Sequence, residues 1–520
     1  MPTAVSRERH SAVSQPKMPR HSSADLSPDD FRAIGHDLVD RIAEFLGSIS
    51  DRPVAPNTTP GAIRDRLRVT TAPVSGADPA QVLNEAADLL FDASTLNGHP
   101  RFFGYITASA APIGALADLL AATINANCGA WALSPVATEI EREAVRWVAE
   151  LIGYPSDAGG ILVSGGNMAN MVCLIAALRA QAGWDVRAHG VGGGAGQRLV
   201  VYASSEVHTW LQKGADICGL GVDSVRGVPV DSSQAMSVSA LLRQISEDRE
   251  RGLQPAVVVG TAGTVSTGAI DPLAELASVC AKNGLWFHVD GAYGAPAAML
   301  EQAPPALGAI ALADSVAVDP HKWLYAPLEA GCALVRDKTK LHDAYAFHPP
   351  YYKFDGDAAD PPTNYHEWGP QNSRGFRALK VWATIRQVGR DGYRQMIGDD
   401  IALAREMYEL AEREPELEPL SHSLSITTFR YVPADSWEKR HEPDVAEYLN
   451  ALNTDLLAKL QAEGTVYLSN AVIDGVFALR ACIVNFRTQS SDVRAVVDAA
   501  VAGGRELAER AARGARGLDG

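Results

Sequence analysis

From about residue 100 to 390, short β-branched runs bounded by glycine alternate with helical segments, and several of the runs are nearly continuous in apolar residues. The runs at 198–203, 256–260, 285–290 and 315–318 lack the in–out alternation of a half-solvated sheet. Both faces of each strand must therefore be covered. Strands of that kind, separated by helices, assemble as a mostly parallel α/β sheet.

The chain is 520 residues long, enough for two or three domains with cores of their own. Residues 1–24, rich in Ser, Pro, Arg and His without periodicity, read as a disordered tail. Ser27, Pro28 and the two aspartates after them form an N-cap, N1 and first-turn signature. Phe31, Ile34, Leu38, Ile42 and Phe45 then mark one helical face up to Gly47. A Pro/Gly connection at 52–61 leads to more helical segments, so 25–100 is expected to be an N-terminal helical arm. Its apolar stripe needs a cover, and homodimerisation supplies one.

The sheet-forming large domain is placed at 101–395 and a small C-terminal α+β domain at 396–520. In the latter a long helical stretch comes first, and a helix with Val445, Leu449, Leu452, Leu456 and Leu460 on one side then runs to Gly464. A strand at 477–484 and a terminal helix from about Asp492 complete it.

Charge narrows the function. Lysine plus arginine number 46 against 62 acidic residues, a net charge of −16 that repels nucleic acid and anionic membranes. The apolar stretch 108–126 is interrupted by Asp118 and reads as a buried helix, not a membrane span. Six scattered cysteines, with no CxxC pair and no clustered histidines, point to free thiols in the cytoplasm and to no metal site.

Three constellations sit at strand ends. Ser164, Gly165, Gly166 and Asn167 follow the apolar run 161–163 and open a helix. That is either a phosphate-holding turn or the tight turn of any α/β unit. His288-Val289-Asp290-Gly291-Ala292 ends another strand, where Asp290 either faces a ligand or caps a turn. Asp319-Pro320-His321-Lys322-Trp323 follows a third run and sets a lysine in apolar company. A phosphate cradle, a carboxylate and an imine-forming lysine along one sheet edge suit a single cofactor, pyridoxal 5′-phosphate.

With these pieces, the sequence from about 25 to 505 resembles the pyridoxal-dependent group II decarboxylases, the family of aromatic-L-amino-acid, histidine and glutamate decarboxylases. The matching segments include His99-Pro100-Arg101-Phe102, Ser134-Pro135 with Thr138-Glu139, Ser164-Gly165-Gly166, His208, Gly263-Thr264, His288-Val289-Asp290, His321-Lys322-Trp323 and the run from Arg374 to Lys380. The resemblance implies fold type I of the pyridoxal enzymes, the aspartate-aminotransferase-like architecture, and an active site at a dimer interface.

It also implies roles. Lys322 would form the Schiff base, Asp290 would pair with the pyridine nitrogen, and Ala292 and His208 would take opposite ring faces. Gly165, Gly166 and Asn167 would hold the phosphate, with Thr264 and His321 nearby. Tyr351 matches the loop tyrosine that protonates the carbanion, with Tyr352 next to it. Relatives with phenylalanine there tend toward aldehyde synthesis, so tyrosine implies an amine product. Phe103, Tyr105 and Trp131 are candidate substrate walls, or ordinary packing residues.

Three positions depart from the pattern. Asp319 stands where animal aromatic decarboxylases have an asparagine near the phosphate. Val265 replaces a second threonine, and Gly129 replaces a larger wall residue, which would leave a roomier pocket. The expected activity is decarboxylation of an L-amino acid, most naturally Trp, Tyr, Phe or DOPA, to the amine. The alternatives are an acidic or diamino substrate such as glutamate, aspartate or 2,4-diaminobutyrate, a decarboxylating aldehyde synthase, and a non-catalytic cofactor-binding protein.

Overall fold

The computed structural model describes residues 22–67, 71–194, 196, 198–347 and 361–517. Tyr351 and Tyr352, and most of the expected tail, lie outside these described residues. The chain forms two compact units, one of residues 1–49 with 58–94, the other of residues 50–57 with 95–520.

In the first unit Ser27 caps helix α1 (Pro28–Gly47), its hydroxyl accepting from Asp30 N at 3.1 Å. Helix α2 (Pro60–Leu67) follows, then α3 (Pro79–Ala93). Phe45 of α1 stacks on Phe91 of α3 at 4.4 Å, and Arg41 pairs with Asp88. No residue of α1 is buried, so the apolar face read from its periodicity is only half covered within the unit.

The second unit is organised by a seven-stranded sheet. Its strands are β1 (Gly159–Val163), β2 (Leu199–Ser204), β3 (Val225–Val228), β4 (Gln254–Thr261), β5 (Trp286–Asp290), β6 (Ser315–Val318) and β7 (Gly331–Val335). The order is β1-β7-β6-β5-β4-β2-β3. β7 is antiparallel to both β1 and β6, and every other pairing is parallel. All strands except β7 therefore point the same way, and their carboxyl ends share one edge.

The unbroken apolar runs are explained by cover on both faces. Leu162, Val258, Val289 and Val316 belong to one apolar cluster, while Ile161, Val163, Val257, Val259 and Ala317 belong to another. Alternate residues of each strand thus feed opposite layers. Each such valine is fully buried, a contribution of roughly 1.5–3 kcal/mol before entropy is charged against it.

Helix α4 (Pro112–Ile124) and helix α5 (Pro135–Leu151) precede the sheet, and α6 (Gly166–Gln181) follows β1. Beyond the sheet, the helix Ala378–Arg413 is broken at Gly389, where φ is 66°. It leads into a second, antiparallel sheet of order β10-β11-β9-β8, made of β8 (Leu417–Ser423), β9 (Ile426–Tyr431), β10 (Ser469–Ile473) and β11 (Val476–Cys482). Phe429, Leu449, Leu456, Leu460, Val493 and Val497 pack it against the helices Pro443–Glu463 and Ser490–Gly517. Among the described residues no helix is long and apolar enough to cross a membrane.

Candidate active site

The first element at the common edge is the turn between β1 and α6. Gly165 has φ +88°, a left-handed backbone that side chains disfavour. At Gly166 a Cβ would lie 2.5 Å from Asp319 Oδ2, so any larger residue would force that side chain to shift. The first-turn N–H groups of α6 are therefore approachable by an anion. Asn167 is exposed on that turn.

The turn is braced from the sheet. Trp286 Nε1 donates to Ser315 Oγ at 2.8 Å, and Ser315 Oγ lies 2.8 Å from His288 Nδ1. His288 Nε2 is 2.7 Å from Asn170 Oδ1, and Asn170 Nδ2 donates to the Gly166 carbonyl at 3.0 Å. With the amide oxygen as acceptor, the proton sits on Nε2 of His288 and its Nδ1 accepts from serine. Burial pushes the His288 pKa down to about 4, against the pull of Asp290, so the ring is neutral at pH 7.

Asp290, at the end of β5, is buried. Its Oδ2 accepts from Trp210 Nε1 at 2.7 Å and its Oδ1 from Ala292 N at 3.2 Å. The carboxylate is thus held by two donors in the protein interior. His208, after β2, accepts from Trp210 N through Nδ1 at 3.2 Å. Loss of solvent around its ring lowers the imidazole pKa. Asp290 and Asp319 oppose that shift and Lys322 reinforces it. One ring therefore lies within electrostatic reach of all three strand-end groups.

The loop after β6 supplies the amine. Lys322 Nζ is 3.1 Å from Asp319 Oδ2, and His321 Nε2 is 3.8 Å from the same oxygen. His321 Nδ1 meets the Ala330 carbonyl at 2.7 Å, and burial lowers its pKa. Trp323, next to the lysine, is fully buried, stacks on Tyr293 at 4.8 Å and donates from Nε1 to Asp400 Oδ2 at 2.8 Å. The lysine is mounted on a rigid base.

Known proteins are similar to this chain along most of its length. The model of the pyridoxal-dependent decarboxylase conserved domain matches residues 60–432. The chain belongs to this family. It is 32% identical to an aromatic-L-amino-acid decarboxylase of Bacillus atrophaeus over 469 residues, 90% of this chain and 94% of that one. It is 30% identical to a phenylacetaldehyde synthase of Petunia hybrida, covering 88% of this chain and 90% of that one. The crystal structure of Oryza sativa TDC with PLP and tryptamine superposes with a TM-score of 0.84 at 27% identity, over 93% of this chain and 99% of that one. This pyridoxal-dependent decarboxylase is a carboxy-lyase with the type I fold, and its cofactor is pyridoxal 5′-phosphate.

The residues present fit that cofactor. A cradle that a Cβ would fill, a buried carboxylate and an amine stand on one strand edge, with an imidazole that senses both charged groups. Gly165, Gly166 and Asn167 would take the phosphate, Asp290 the pyridine nitrogen and Lys322 the aldehyde.

Other expected residues of the decarboxylase have contacts of their own. The Thr264 hydroxyl is 3.1 Å from Thr267 Oγ1 and accepts from Ala269 N at 3.1 Å, so it braces its own turn. Trp131 donates from Nε1 to Glu139 at 3.0 Å and lines a cavity of about 1240 Å³ whose walls do not include Lys322, Asp290 or His208. Phe103 is fully buried in the C-terminal core. Tyr105 is 60% exposed and contacts the Tyr467 ring. The room expected at Gly129 is absent, since a Cβ there would sit 2.2 Å from the Asn372 carbonyl oxygen.

Sequence reasoning missed Trp210, Asn170, Asp400 and Arg480. Arg480, on β11, is 2% exposed and donates from Nη1 to the Tyr105 carbonyl at 2.9 Å, while its Nε and Nη2 have no partner among the described residues. An arginine between Leu479 and Ala481 in an apolar strand was the available signal.

Proposed function

We propose that this decarboxylase acts on an aromatic L-amino acid and releases the amine and carbon dioxide. The observation that carries the reading is the 32% identity to an aromatic-L-amino-acid decarboxylase along 90% of the chain, in a protein whose Lys322 and Asp290 stand at strand ends of one sheet edge. Pyridoxal 5′-phosphate, when bound, supplies the electron sink for the pair left by departing carbon dioxide. Lys322 would hold the cofactor's aldehyde through its amine. Asp290, held by Trp210 and Ala292, would keep a proton on the pyridine nitrogen. His208, held through Nδ1 with Nε2 carrying its proton, would pack against the cofactor's ring. The unpartnered donors of Arg480 support a place for a substrate carboxylate on the C-terminal sheet.

Tyr351 is assigned the return of a proton to carbon, in keeping with the resemblance. The exposed Leu116, Leu119, Leu120 and Ile124 on α4 support a homodimer, and six free thiols support a reducing, cytoplasmic setting. No nucleic-acid or membrane partner is proposed.

The similarity to a phenylacetaldehyde synthase favours a second reading, oxidative deamination coupled to decarboxylation. Products separate the two. Incubating the holoenzyme with L-Trp, L-Tyr, L-Phe, L-DOPA, L-Glu and L-2,4-diaminobutyrate, and measuring carbon dioxide, amine, ammonia and peroxide, is expected to give amine from an aromatic substrate. Ammonia and peroxide from the wild type would establish the second reading, and turnover of the acidic or diamino substrates alone would overturn the first. Tyr351→Phe is expected to shift the wild-type product toward aldehyde.

A further inference from the structure

The mechanism above leaves Asp319 unused, yet this carboxylate is the nearest side chain to the cradle. It is 2% exposed, both its oxygens face Gly166 within 3.1 Å of where a Cβ would stand, and Oδ1 has no hydrogen-bond partner among the described residues. Its neighbours are few. Lys322 Nζ is 3.1 Å from Oδ2 and His321 Nε2 is 3.8 Å away. His208 after β2 and Cys332 on β7 feel its charge, and α6 presents backbone N–H groups. Among the described residues Lys322 is thus the cation within hydrogen-bonding reach, and it is the group the aldehyde consumes.

A phosphate dianion entering this cradle meets a buried carboxylate that is losing its counter-ion. Two adjacent anions in a dry site repel strongly, and a single shared proton removes the conflict. A carboxyl O–H then donates to phosphate oxygen as an amide N–H would. We propose that Asp319 makes cofactor capture proton-linked: the phosphate lodges at Gly165–Gly166–Asn167 with net uptake of one proton, shared between phosphate oxygen and the Asp319 carboxyl. This rests on the phosphate-cradle reading of that turn. Free phosphate monoesters lose their second proton near pH 6, so above neutrality the shared proton comes from solvent. Affinity for the phosphorylated cofactor falls accordingly as pH rises.

The test uses the full chain stripped of cofactor and titrated from pH 7 to 8.5 with pyridoxal 5′-phosphate and with pyridoxal, which has the aldehyde but no phosphate. The affinity ratio isolates the phosphate. In the wild type it is expected to fall about tenfold per pH unit, the slope for one proton. Calorimetry in two buffers of different ionisation enthalpy at pH 8 is expected to count one more proton taken up with the phosphorylated form. In Asp319→Asn the slope flattens, the extra proton disappears and affinity at pH 8.5 exceeds that of the wild type.

A slope and proton count equal in wild type and Asp319→Asn overturn the proposal while leaving the cradle intact. Equal affinity for pyridoxal and its phosphate at every pH overturns the cradle reading, and the proposal with it. Should the variant not fold, the wild-type proton count decides alone, and no extra proton overturns the proposal.

Discussion

Asp290 and Trp210 are joined by a 2.7 Å hydrogen bond from indole Nε1 to carboxylate Oδ2 across 80 residues of sequence. The indole is buried, so the bond forms in a medium where a donor to a charged group counts for more than in water.

Trp210→Phe keeps the ring and removes the donor. The carboxylate then retains Ala292 N alone. A hydrogen bond to a charged group is worth about 1.5–3 kcal/mol, so denaturant unfolding of the apoprotein should show a loss of that order. Cofactor affinity, read from visible absorbance, should fall with it, and unchanged values in both measurements would refute the bracing role.

Arg374 and Glu141 form an ion pair with both side chains 1% exposed, and Arg374 also donates to the Cys128 and Leu162 carbonyls. Glu141→Ala leaves an uncompensated guanidinium beside β1. Breaking one side of a buried pair costs about 3–5 kcal/mol, and a denaturant midpoint within error of wild type would contradict this.

Asp400 accepts from Trp323 and Tyr325. Burial pushes its pKa up to about 7, far above the usual carboxylate range. The folded chain therefore holds this proton more tightly than the unfolded one. The resulting stabilisation is complete below the unfolded carboxyl pKa and is lost as pH rises through about 7, with a magnitude of roughly 2–4 kcal/mol. His288, lowered to about 4, acts in the opposite sense, its contribution being present above the unfolded imidazole pKa and lost on acidification toward pH 4. Stability measured from pH 4 to 8 in wild type and Asp400→Asn should show the variant gaining on the wild type as pH rises. Parallel curves would rule out the assignment.

Gly129→Phe would restore the larger residue expected in the pattern, yet its Cβ would meet the Asn372 carbonyl at 2.2 Å. Overpacking of this kind costs about 1–3 kcal/mol. The variant should unfold at lower denaturant, and a stable variant with altered substrate preference would show that this backbone approach is not obligatory.

What was legible in the sequence follows from physical locality. Strands covered on both faces announce themselves by unbroken apolar runs, and Gly165, Asp290 and Lys322 stand next to such runs. β8 did not, because Pro419, Ser421 and His422 give it a half-buried, polar pattern. β3 is four residues long and mostly half-exposed. Asn170 meets its partner His288 across 118 residues, and Trp323 meets Asp400 across 77, so spacing along the chain carries no trace of either pair. Gly129 misled for the same reason: the missing side chain looked like free space until the fold brought Asn372 against it.

The row from Trp286 through Ser315, His288 and Asn170 to the Gly166 carbonyl has a sense of direction, since each hydrogen has one acceptor ahead of it. Turning any single member round would set hydrogen against hydrogen somewhere along it. The imidazole in the middle thus works as a spacer of fixed length, valued for its two nitrogens' separation and not for its acidity. A side chain that matched its reach and polarity without ever titrating would serve the turn equally well.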